Sequence, residues 1–139
     1  MLSAREGQLS CSVYFMSMDT DAEGPVYTAD QGSMLLRLDW QSERRVMAVF
    51  DTYLAVLDPT SGTETARYDY GGATLQSVAP GRRQTALLLT VRGGNNLVTL
   101  SETLTPMAEI PARQAFGVSA TDTDIYLLCP DAVECYGYD

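Results

Sequence analysis

The chain has 139 residues, 45% of them hydrophobic and 19% charged, with a formal net charge of −9 and no histidine. That length and apolar content suit one domain with a sizeable core and argue against disorder. The acidic balance repels phosphate, which argues against a nucleic-acid partner, and the missing imidazole removes the commonest general base and transition-metal ligand.

Apolar runs such as 86–89 (ALLL) fall far short of a bilayer span of roughly 20 residues, so no membrane-spanning segment is expected. The opening MLSAREGQLS has neither a basic n-region nor an apolar h-region, and no signal peptide is visible. Cys11, Cys129 and Cys135 make an odd count with no zinc spacing, which leaves the compartment open.

Residues 1–8 are polar and read as a frayed end or a strand fragment. A strand is predicted at 9–18 (LSCSVYFMSM), then an acidic turn at 19–24 (DTDAEG) and a short return strand at 26–29. The next pair is 34–39 and 45–50, joined by the loop 41–44, and it runs straight into the hairpin at 53–70 (YLAVLDPTSGTETARYDY). In that hairpin Asp58 can bond the backbone ahead of it, Pro59 presets φ, and Gly62 tolerates the positive φ of the exit. On its return strand Ala66, Tyr68 and Tyr70 alternate with Thr65, Arg67 and Asp69, the period of a half-buried strand. After Gly71-Gly72 the pattern restarts with strands at 75–79, 85–91, 97–100 and 107–110, separated by turns at 80–83 and 93–96. Three strands close the chain, at 115–119, 125–129 and 133–138.

The positions closing each third strand, Asp19, Asp58, Ser101 and Asp139, are 39, 43 and 38 apart. Leu38, Val78 and Val118 in the first strands are each 40 apart, as are Ala48, Leu88 and Leu128 in the second. Four short strands per repeat of about 40 to 45 residues is the spacing of a β-propeller blade. One blade cannot bury both its faces, so blades stack around an axis. The expected fold is therefore all-β, with propeller blades of four antiparallel strands at 9–32, 34–72, 74–112 and 115–139. About three and a half blades make an open arc rather than a closed ring. An irregular β-sandwich with evenly spaced turns is the alternative.

At 55–62 the sequence AVLDPTSG resembles the repeat of the PQQ-like and YVTN/WD40-like propeller families, whose A-x-D-x-x-[T/S]-G core closes each blade's outer hairpin. Ser61 and Gly62 match, while Ala55 lies one position further from Asp58 than the pattern has it. The resemblance implies the fold, and by extension an exported part of a bacterial surface or sensor protein. The tryptophan that PQQ-type repeats place four residues after the glycine is Ala66 here, so the quinone cofactor gains no support. Asp39-Trp40 reverses the WD dipeptide, and no sialidase-type Asp box occurs.

Four features invite a functional reading beside a plainer one. Asp19, Asp21 and Glu23 ahead of Gly24, with Asp30 at loop position 12, partly match a calcium loop. Pro25 and the flanking strands favour a solvated acidic turn instead, with weak calcium binding at most. Arg44-Arg45 and Arg82-Arg83 fall in or beside equivalent loops where an anion could bind, but Asp122 and Asp124 in the matching last loop make that rim mixed in sign. Cys129 and Cys135, on consecutive strands, read as a disulfide pair or as free apolar residues, the commoner outcome. The tyrosines read as packing residues, with Tyr136 and Tyr138 placed to meet a partner at an open end.

Two functions from different classes remain. One is a non-catalytic binding or scaffolding module whose protein or small-ligand partner is unknown, with further blades or a second copy at the open edges. The other is a hydrolase or lyase using paired carboxylates and an arginine at the propeller axis. The first strands read LRLD (36–39), QSVA (76–79) and FGVS (116–119), which supply Asp39 and no second acid, and this favours the module. No catalytic, cofactor or metal residue is assigned.

Overall fold

A computed structural model of the chain describes residues 2–5, 8–16, 23–112 and 114–137, with side chains described at 11–16 and from residue 24 onward. The chain is all-β. Its fourteen described strands form four antiparallel sheets in which neighbours follow chain order. Two compact units, Met1–Arg67 and Tyr68–Asp139, meet within the seventh strand.

The first unit holds a three-stranded sheet of β1 (Leu2–Arg5), β2 (Gln8–Met16) and β3 (Glu23–Thr28). Beside it lies a four-stranded sheet of β4 (Leu35–Ser42), β5 (Arg45–Phe50), β6 (Tyr53–Asp58) and β7 (Thr63–Asp69). Cys11, Val13, Phe15, Tyr27 and Ala29 from the first sheet pack with Val46, Ala48, Phe50, Tyr53, Ala55 and Leu57 from the second. Met47, Val49, Leu54 and Val56, on the opposite face of β5 and β6, are also fully buried. Burial on both faces explains why these strands are continuous apolar runs, whereas the edge strands β4 and β7 mix polar and apolar residues.

The second unit repeats the plan with β8 (Thr74–Ala79), β9 (Thr85–Val91), β10 (Gly94–Leu100) and β11 (Pro106–Pro111), then β12 (Gly117–Ala120), β13 (Asp124–Leu128) and β14 (Val133–Gly137). Ala86, Leu88 and Leu97 pack against Val118, Ile125 and Leu127. The repeat also shows in the turns between sheets: Ser33 N–H donates to Asp30 O, Ala73 N–H to Tyr70 O and Ala115 N–H to Ala112 O. These equivalences make β3 the counterpart of β7 and β11, the outer strands, and β12 the counterpart of β4 and β8, the inner ones. The first sheet thus has no inner strand among the described residues, and the last has no outer one.

Several local expectations shift. Residues 2–5 are a paired strand, because Leu2 to Arg5 run in register with Cys11 to Gln8. β4 continues through Trp40 to Ser42, so the loop before β5 shrinks to Glu43-Arg44, and a bulge beside Trp40 absorbs the difference. The turn placed at 93–96 is Arg92-Gly93, with Gly94 already opposite Val91, since Gly93 supplies the positive φ a tight hairpin needs. Gly24 belongs to β3 rather than to the acidic turn, and a Cβ there would lie 1.9 Å from the Phe15 carbonyl oxygen. Leu104, with φ of 59°, takes a left-handed conformation that its deep burial holds in place.

The hairpin at 53–70 forms as its residues dictate. Asp58 Oδ1 accepts from Thr60 N–H at 2.9 Å and from Thr60 Oγ1 at 2.6 Å, and Gly62 N–H closes the turn onto Asp58 O at 2.7 Å. Gly62 has φ of +72°, and a Cβ there would sit 2.9 Å from Pro25 Cβ and 3.1 Å from Val26 O. Gly71, at φ of +63°, has nothing within 4 Å of the same position. Gly62→Ala should therefore cost about 2 kcal/mol or more, and Gly71→Ala only the left-handed penalty of about 1 kcal/mol. Urea midpoints of the two variants read the difference, and equal losses would show that the contact with β3 is not constraining.

Candidate functional site

The densest polar cluster lies in the first unit, on residues from β3, β6, β7 and the loop after β3. Tyr27 Oη donates to Glu64 Oε1 at 2.8 Å and lies 2.9 Å from Tyr53 Oη. Because the single phenolic proton of Tyr27 goes to Glu64, Tyr53 is the donor in that pair. Tyr53 in turn accepts from Asp30 N–H at 3.2 Å. Arg67 closes the arrangement. Its guanidinium grips both carboxylate oxygens of Asp30, donates from Nε to Glu64 Oε1 at 3.0 Å, and lies 3.9 Å over the centre of the Tyr53 ring. Below Tyr53 the Phe50 ring stacks at 4.5 Å.

The protonation states follow from this geometry. The Arg67 hydrogen bond holds the Asp30 carboxyl below its ordinary range. Asp30 and Glu64 keep Arg67 charged throughout. Burial, with the bonds to Tyr53 and Glu64, pushes the Tyr27 phenol well above its usual value. A phenol held protonated and a carboxylate held in a bidentate ion pair are poor proton shuttles. The cluster is an inter-sheet clasp.

The structure places the sequence candidates as follows. Asp19 and Asp21 lie outside the described residues, as does the Glu23 side chain, while Asp30 is committed to Arg67. No group of three metal-ligating residues occurs among the described residues. In the second unit, Arg82 and Arg83 line one shallow depression of about 90 Å³ with Thr121 and Asp122, the mixed-sign rim that the repeat predicts. In the first unit Arg44 is exposed, and Arg45 Nε donates to Gln41 Oε1 at 2.6 Å. All three cysteines are free. The β13–β14 register sets Tyr126 opposite Cys135, and Cys129 N–H bonds Ala132 O at the hairpin end, so the two cysteines do not face each other.

Asp39 accepts from Gln41 Nε2 at 3.0 Å and lies 3.9 Å from Arg37. Tyr136 bonds Glu134 at 2.9 Å, which raises its phenol pKa, and borders two clefts of about 230 and 450 Å³ in the second unit. Tyr138 lies outside the described residues. Sequence reasoning missed the clasp because its members come from separate strands. Strand alternation sets Glu64 and Arg67 on opposite faces of the return strand, so residue order gave no signal that the two side chains meet.

The fold is similar to that of several solved structures, one of them a WD40 domain. The computationally designed Ika4 protein superposes with a TM-score of 0.71 at 10% identity, over 99% of this chain and 89% of that one. A chain of a mitotic checkpoint complex gives 0.63 at 14% identity, over 99% of this chain and 49% of the other. The Pan2 WD40 domain of Neurospora crassa gives 0.64 at 9% identity, over 94% and 45%. The chain therefore spans about half the length of the latter two. No family model and no curated protein matches the sequence. At these identities the likeness establishes a propeller-like fold.

The clasp generates a pH profile. Asp30 has a depressed folded-state pKa, so its contribution is present above the unfolded carboxylate value of about 4 and is lost as pH falls below it. Tyr27 has a raised one, so its contribution is complete below the unfolded value of about 10 and is lost as pH rises above it. Urea midpoints should show a plateau between these limits. Arg67→Ala should lower the plateau by about 1–2 kcal/mol and flatten its acid side, and an unchanged acid limb would contradict the clasp.

Proposed function

We propose that this chain is a non-catalytic, propeller-like binding or scaffolding module, part of a bacterial surface or sensor protein of the PQQ-like or YVTN/WD40-like kind, with blades at 9–32, 34–72, 74–112 and 115–139. The observation that carries this reading is the character of the inner strand β4. Its acid, Asp39, is held by Gln41 and Arg37, while Leu38 and Trp40 stand exposed on the face towards the first sheet. An apolar, aromatic surface on one face of β4, with the strand's one carboxylate engaged on the other, suits contact with a partner more than acid–base chemistry.

A panel of glycosidase, lactonase and esterase substrates tests the assignment, with Asp39→Asn as the control. No turnover is expected above the buffer rate. Turnover that disappears in Asp39→Asn would overturn the module reading in favour of a carboxylate-dependent hydrolase or lyase.

A further inference from the structure

Arg82 and Asp122 share one place in the repeat, 40 positions apart, in the turns that follow β8 and β12. The strands leading into those turns are tied together, because Val118 N–H of β12 donates to Ser77 Oγ of β8 at 3.1 Å. Each turn joins two paired strands, β8 to β9 and β12 to β13. Between the turns lies the depression of about 90 Å³, bordered by Arg82, Arg83 and Gln84 from one and by Thr121 and Asp122 from the other. No ion pair joins either arginine to Asp122 among the described residues. An exposed pair gains little by closing up, so both signs of charge stay available to a ligand.

Gln84 adds an independent observation. Its Oε1 is buried and meets no hydrogen-bond donor. A buried acceptor without a partner is costly, and a ligand that brings a donor recovers that cost. The terminal amide torsion of glutamine is broad, so a modest rotation turns Oε1 to such a donor. The rest of the wall is set in advance. A Cβ on Gly81 would stand 2.2 Å from Gln84 O, which marks a tight turn, and Thr121 Oγ1 accepts from Thr123 N–H at 3.3 Å and from Asp124 N–H at 3.1 Å.

We infer that this depression binds a small free α-amino acid as its zwitterion. The ligand carboxylate goes to the guanidiniums of Arg82 and Arg83, and its ammonium donates to Asp122 and to Gln84 Oε1. Each ligand charge meets its complement, whereas Asp122 repels a simple anion and the arginines repel a simple cation. The volume, about that of three waters in the liquid, holds the charged end of an amino acid and little side chain. A peptide C-terminus lacks the ammonium beside its carboxylate and satisfies only half of the site. The inference rests on the binding-module reading and names its ligand class.

Glycine, acetate and methylammonium are titrated into the full chain, and amide shifts are followed by nitrogen-edited NMR. Glycine should move the Gly81, Gln84 and Thr121 signals saturably, with a dissociation constant on the order of 1 mM, and the two half-ligands should bind at least about tenfold more weakly. Asp122→Asn should weaken glycine about tenfold and strengthen acetate, because a repulsion is removed. Arg82→Ala combined with Arg83→Ala should abolish glycine binding. Gln84→Met keeps the side-chain length and loses the acceptor, so glycine should weaken while the urea midpoint of the free chain holds or rises. Urea midpoints of the other variants confirm that they fold. No saturable glycine shift would overturn the site. Acetate binding as tightly as glycine, or glycine binding unchanged in Asp122→Asn, would overturn the zwitterion assignment. A lowered midpoint in Gln84→Met would overturn the role of Oε1 as the unpaired acceptor. The binding readout is separate from any turnover, so its failure is distinguishable from failure of the module reading.

Discussion

The two-sided burial of β5 and β6 is the constraint on which the first unit depends. Ten side chains from Val46 to Phe50 and from Tyr53 to Leu57 are excluded from water on both faces of one sheet. Each large one is worth roughly 1.5–3 kcal/mol of transfer free energy, so a bare face would forfeit much of the stability of a small domain. A sheet of this kind is stable only between two layers, which makes stacking of similar sheets the natural solution and sets the repeat of about 40 residues. β9 and β10 repeat the arrangement in the second unit, where Leu88 and Leu97 face one way and Leu87 and Val98 the other. Polar chemistry is consequently concentrated on edge strands, loops and the ends of interior strands, where Tyr53 opens β6 and Asn95 lies near the start of β10.

That distribution shapes what the polar groups do. The clasp of Tyr27, Asp30, Tyr53, Glu64 and Arg67 links the outer strand of one sheet to the outer strand of the next, at the margin where apolar packing thins out. Its hydrogen bonds run in one direction, from Asp30 N–H through two phenols to a carboxylate, and a guanidinium neutralises both acids. Groups so fully engaged fix geometry and are unavailable for turnover. In the second unit Asn95 does comparable work with fewer parts: its side-chain NH2 donates to Ala115 O at 2.7 Å, and its backbone carbonyl accepts from Ala112 N–H. Exposed apolar side chains lie on both units, among them Met16, Leu36 and Trp40 in the first and Phe116 and Val133 in the second.

Much of the architecture was legible from residue order. The Asp58 turn and the recurrence of Leu38, Val78 and Val118 are local or periodic signals, and each corresponds to a feature of the folded chain, whereas burial along β7 does not follow the expected alternation, since Ala66, Arg67 and Tyr68 are all half-buried. The polar rim of Arg82, Arg83 and Asp122 was legible for the same reason, since equivalent loops of a repeat fall side by side. Asp30 shows the opposite case. Its place after an acidic run suggests a cation ligand, yet its carboxylate meets Arg67, thirty-seven residues away. A side chain's role there depends on which distant strand lies opposite, which no spacing in the chain encodes.

The sequence by itself determined the all-β class, the four-strand repeat and the chemistry of the tight turns, because side-chain alternation and φ preferences act over a few residues. Only the tertiary structure decided that residues 2–5 extend the first sheet, that β4 runs on through Trp40, and that Tyr27, Asp30, Tyr53, Glu64 and Arg67 converge. Those outcomes depend on pairing partners and on which layers are present to cover a face. Leu38 and Val118 make the point: they share one place in the repeat, and among the described residues only Val118 meets an inner strand of a preceding sheet, through Ser77.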